Sequence, residues 1–126
     1  FHEMADLIAA LKDGTAMVWD ILAGETLGGM REKTLSRRIG ADERFPSGES
    51  RMAYTENLTL KAHPGTYWRG ENDPEIFHFN LEFTFRHVLW EGFAHLKTIQ
   101  AHKEAMGLPL VNDLPEEGYL KILRWE

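Results

Sequence analysis

From Glu75 to Met106 the chain contains no proline, and Gly92 is the only glycine. Pro74 suits a first helical turn, and Glu75 is favoured beside the positive end of a helix dipole. Gly107 is a natural helix stop with Pro109 beyond it. This run predicts one long helix over 75–106, its core near 80–106, around which the rest of the chain must pack. At about 100° per residue, Leu81, Phe85, Val88, Leu89, Leu96 and Ile99 share one side, the expected core face. Trp90 and Phe83 fall away from it. They predict a second packing surface, so the helix is buried on two sides or meets a partner, with a homodimer expected.

His87, Glu91 and His95 form a polar stripe beside the apolar face. Residues four apart are neighbours on a helix, so the three make an imidazole–carboxylate–imidazole ladder. Imidazole and carboxylate are good ligands for zinc or nickel, and i, i+4 pairs can offer two donors to one ion. A further ligand must come from elsewhere, and His63, where the chain turns before Pro64, is the best placed. His78 lies away from the stripe on the wheel. His102 reads as a solvent residue near the helix C-terminus. The competing reading of the ladder is an ordinary surface contact worth a few tenths of a kcal/mol.

Composition limits the alternatives. The 126 residues suit one domain, 4–126, and Phe1-His2-Glu3 before Met4-Ala5-Asp6 reads as an added remnant. The net charge of −6 argues against a nucleic-acid partner or a polybasic membrane-surface module. The chain has six histidines and no cysteine, so a metal site must use nitrogen and oxygen, and thiol chemistry needs a thiol from outside. No apolar stretch is long enough to predict a membrane span, and no leader is evident, which makes a cytoplasmic location the default expectation. Ser36, Ser47 and Ser50 sit in no nucleophile elbow, and neither a P-loop nor a dinucleotide fingerprint is present.

The remaining segments are less decisive. Residues 4–23 carry an apolar stripe through Leu7, Leu11, Val18 and Leu22 that keeps phase across Gly14, predicting one helix with a weak middle. Arg31, Lys33, Arg37 and Arg38 read as a solvated face. Residues 51–63 fit a strand or a helix, and 119–125 is a short apolar piece after a loop.

The segment Phe85-Arg86-His87-Val88-Leu89-Trp90-Glu91-Gly92-Phe93-Ala94-His95-Leu96-Lys97-Thr98-Ile99, running on to Gly107-Leu108-Pro109, resembles the last helix of DinB/YfiT-like proteins. These are four-helix bundles with a metal site, whose last helix carries a His-x-x-x-His pair. Glu91 stands where the first His of that pair would be, His95 at the second, and His87 at an additional His one turn earlier. The family's other ligand lies on an earlier helix, where His63 is the corresponding His. The resemblance implies a mostly α, DinB-like bundle binding a divalent metal through Glu91, His95, His63 and His87. It also implies S-transferase or isomerase chemistry with an external low-molecular-weight thiol. The alternative reading is a non-catalytic dimeric interaction or small-ligand-binding module. The alternative fold is a small α+β domain with strands near 56–62 and 119–125, its aromatics lining a pocket for a small molecule.

Overall fold

A computed structural model describes residues 3–110 and 112–124. Helix α1 (Met4–Ala23) leads through Gly24 to α2 (Leu27–Glu32) and strand β1 (Thr34–Arg38). After an irregular loop, α3 (Arg51–Tyr54), a π-helical turn (Thr55–Thr59) and α4 (Leu60–Ala62) form one continuous rod. Strands β2 (Tyr67–Arg69) and β3 (Ile76–Asn80) follow, then α5 (Leu81–Ala105) and α6 (Tyr119–Ile122). The fold is mixed α+β, predominantly helical, with an antiparallel sheet in the order β1-β3-β2.

The first helix runs unbroken through Gly14. The Thr15 hydroxyl donates to the Leu11 carbonyl at 2.8 Å and stays within the turn. The long helix starts five residues after Ile76 rather than at Glu75. Ile76-Phe77-His78-Phe79-Asn80 alternates inward and outward, with Phe77 wholly buried, and pairs on both edges as β3. Asn80 closes the strand and opens the helix, its Oδ1 accepting from the Phe83 amide at 3.0 Å. His78 therefore lies on the sheet, opposite Ser36. At the other end Gly107 takes the left-handed conformation, φ 69°, that stops the helix.

The strands expected near 56–62 and 119–125 are helical. The Leu58-Thr59-Leu60 alternation is overridden because 51–62 winds as one continuous helical rod, with Leu58 packed on the Trp90–Tyr119 cluster and Leu60 on the Phe77–Phe83 cluster. Tyr119–Ile122 is one turn of helix, and residue 125 lies outside the described residues.

Two apolar clusters make the interior. One gathers Ile39, Tyr67, Phe77 and Phe83 under the sheet; the other joins Ala62, Trp90 and Tyr119. The buried side of α5 is thus the Phe83–Trp90 side. This corrects the expected core face: Val88, Leu89, Leu96 and Ile99 are exposed. The wheel groups residues correctly but cannot say which group faces inward when both are apolar. Near its start α5 is tied to α2 by Glu82, whose buried carboxylate accepts from Arg31 Nε at 2.6 Å and Arg86 Nε at 2.8 Å. Hydrogen bonding from Arg31 foremost, with Arg86 adding to it, holds that carboxyl below its usual range against the opposing effect of burial.

Gly118 begins α6 at φ 52°, pressed against the Trp90 ring; a Cβ there would stand inside the indole. Gly118→Ala must move Trp90 or the helix start, and the expected loss is about 2–4 kcal/mol. Urea denaturation checks it; an unchanged midpoint would show that α6 is not seated on Trp90.

Candidate functional site

The rod 51–62 ends at His63, whose backbone is tightly held. Its N–H donates to the Thr59 carbonyl at 3.1 Å, and its own carbonyl accepts from the Thr66 and Tyr67 amides at 3.2 and 3.1 Å. Gly65, at φ 76°, lets the chain reverse into β2. This turn drives the imidazole into the seam between the two clusters, 1% exposed. There it stacks on Trp90, with centroids 4.6 Å apart, and meets Phe83, His87 and Tyr119 edge-on. Neither ring nitrogen has a hydrogen-bond partner. A buried polar group without a partner costs about 1–3 kcal/mol, so a histidine kept in this position calls for an explanation.

His87, on the inward face of α5, lies 5.4 Å from His63 between centroids. Its Nδ1 is 2.9 Å from the Tyr119 hydroxyl, and its Nε2 is 3.8 Å from Glu91 Oε1. Burial raises the Tyr119 hydroxyl well above its ordinary range, against an opposing hydrogen bond from Thr59. The phenol therefore remains protonated, accepts from Thr59 and donates to His87 Nδ1. That leaves the His87 proton on Nε2, facing Glu91. Burial lowers the His87 imidazole too, partly offset by the Glu91 carboxylate, with Arg37 acting in the direction of burial.

His87 and Glu91 open onto a cleft of about 490 Å³, the size of a small-molecule site. Tyr54, Thr55 and Thr59 form one wall, and Arg37, Glu49 and Arg51 also line the cleft, the Arg51 guanidinium lying over the Phe45 ring and 3.9 Å from Glu43. The π-helical turn sets the first wall. Its wider winding brings Thr55 and Thr59 inward, both buried, and such turns recur at functional sites.

Of the four residues singled out from the sequence, His63, His87 and Glu91 share this neighbourhood. His95, one turn beyond, is exposed on the outer part of α5. The ladder thus stops at Glu91. Among the described residues, no three or more His, Asp or Glu side chains stand in a geometry that would hold a metal ion. Sequence reasoning missed Tyr119, Thr59 and the Arg37–Arg51 pair. Tyr119 lies in a short apolar tail, and the inward rotation of Thr59 depends on the π-helical turn; neither carries a local pattern. No protein-family model matches the chain, and neither the curated proteins nor the solved structures yield a match.

Burial pushes the His63 imidazole down to about 4, and the His87 and Arg86 charges act in the same direction. The unfolded chain therefore takes up a proton near pH 6.5 that the folded chain refuses until about pH 4. Stability present above pH 6.5 is lost as the pH falls across that window, by about 3 kcal/mol in total. Chemical denaturation at pH 7.5, 5.5 and 4.5 with a chelator present should show this loss, and His63→Phe should flatten it. An equally steep profile in the variant would remove His63 as its source.

Proposed function

We propose that the protein binds a divalent cation once the His63, His87 and Glu91 side chains turn toward one another, since among the described residues they do not stand already grouped around an ion, and that a small polar molecule occupies the adjoining cleft. The supporting observation is His63, wholly buried beside a second imidazole with both nitrogens unpartnered. Two neutral imidazoles and a carboxylate are a donor set suited to zinc or nickel. Both histidines are held neutral near pH 7 by burial, which keeps their lone pairs available. His87 would hold the cation through Nε2, with Nδ1 then carrying the proton and donating to the Tyr119 hydroxyl. This is the outer partner that metal-bound histidines usually have.

The cation would supply Lewis acidity, lowering the pKa of a bound water or thiol. The chain's own residues do the rest. Arg37 and Arg51 attract an anionic group in the cleft, and Tyr54 offers a hydroxyl. The chain contains no cysteine, so any thiol used here comes from the bound molecule. Transferase or isomerase chemistry on an external thiol, the class implied by the DinB-like segment, is the activity to assay first.

Chelator-treated protein titrated calorimetrically with Zn²⁺ and Ni²⁺ should take up one equivalent per chain. Removing a donor by His63→Phe or His87→Phe should abolish uptake, and His95→Ala should leave it unchanged. Tyr119→Phe, which keeps the ring and loses the hydroxyl, should weaken binding by roughly 10- to 100-fold. No uptake by the wild-type chain, with melting unaffected by chelator, would leave His63 as a packed core histidine whose N–H rests on aromatic faces.

A further inference from the structure

Helix α1 contributes no buried residue and makes only glancing contact with the remainder of the chain. Its apolar side nevertheless lies in water, with Leu11 63% and Trp19 72% exposed beside Leu7 and Val18. The opposite side is acidic, through Asp6, Asp13 and Asp20 at seven-residue spacing. An isolated helix of this length is marginal in water, so its apolar side needs a cover. The outer face of α5 has the same need. Val88 is 64% and Ile99 54% exposed, Leu89 and Leu96 continue the stripe, and Gly92 at its centre has open space where a side chain would be.

The structure assigns these two stripes to each other across a dimer: we infer that α1 of one copy lies on the α5 stripe of a second copy, and the reverse. Each chain carries both halves of the contact, which is what closed two-fold association requires. The large apolar side chains of α1 and α5 that stand 38% to 72% exposed leave open on the order of 1,000 Å² per chain, against about 800 Å² per partner in a stable interface. Pairing α1 and α5 from two chains yields a four-helix arrangement of ordinary type. A membrane surface is the weaker occupant, because the polar side of α1 carries three aspartates and one lysine, whereas interfacial helices are rich in Lys and Arg.

The surface differs from the Trp90–Phe83 face that suggested a dimer from the sequence. Both of those rings are buried within the chain, and the new contact lies on the side of α5 away from His87. The inference is therefore independent of the metal proposal and can be tested on metal-free protein.

Light scattering on the wild-type chain at tens of micromolar should give twice the mass of one chain. Leu11→Glu and Leu96→Glu should each weaken the dimer roughly a hundredfold. Circular dichroism shows whether each variant keeps its helices. Mixing the two variants leaves one intact α1–α5 contact in the mixed pair, so dimers should reappear in the mixture and in neither variant alone. A monomeric wild type, dimers indifferent to both substitutions, or absence of recovery on mixing would overturn the assignment. So would a monomer that sediments with anionic phospholipid vesicles.

Discussion

The stacking of His63 on Trp90 is the contact on which the other tertiary relations depend. It pins the end of the 51–62 rod to the middle of α5. The same indole receives Gly118 on another side, which seats α6 and brings Tyr119 over His87. His63 also touches Phe83, so one imidazole spans both apolar clusters. A ring of this shape could have been phenylalanine if packing were the only demand. A polar group at the junction gives up stability that an apolar ring would retain, which is the pattern expected where a residue serves chemistry.

A short hydrogen-bonded series runs out from that junction. Thr59, Tyr119 and His87 form a series from the π-helical turn toward the cleft, and Glu91 stands beyond it, 3.8 Å from His87 Nε2. Shifting a hydrogen along the series changes which nitrogen of His87 is free. The low polarity of the surroundings makes each of these bonds stronger than it would be in water and makes an incomplete series costly. Glu91 lines the same cleft as Arg37 and Arg51, which brings acidic and basic residues into one small volume.

Much of the helical framework was legible in the sequence. The continuity of α1 across Gly14 followed from phase, and the stop at Gly107 from residue type. The stripe holding His87 and Glu91 followed from the helical period. The sheet was not legible, because β3 abuts α5 with only Asn80 between them. Phe77 and Phe79 extend an apolar pattern that can be read at either period. The inward side of α5 was inverted for a related reason. The apolar stripe is the stronger one, yet it is the aromatic side with His87 that the rest of the chain covers. His63 came forward by elimination from the ladder, while its distance to His87 depends on a turn in the backbone that spacing cannot encode.

The π-helical segment Thr55–Thr59 accommodates one residue more than an α-helix of the same rise. Loss of a single codon there would restore ordinary winding and leave the residues after it close to their present phase, so His63 would keep its place in the aromatic seam. The change would fall on the turn itself: residues 55–59 would be redistributed around the rod, and the wall that Thr55 and Thr59 give the cleft would be lost. The extra residue thus serves the cleft and not the scaffold. A shorter relative lacking it would keep the buried imidazole and present a different wall to whatever enters.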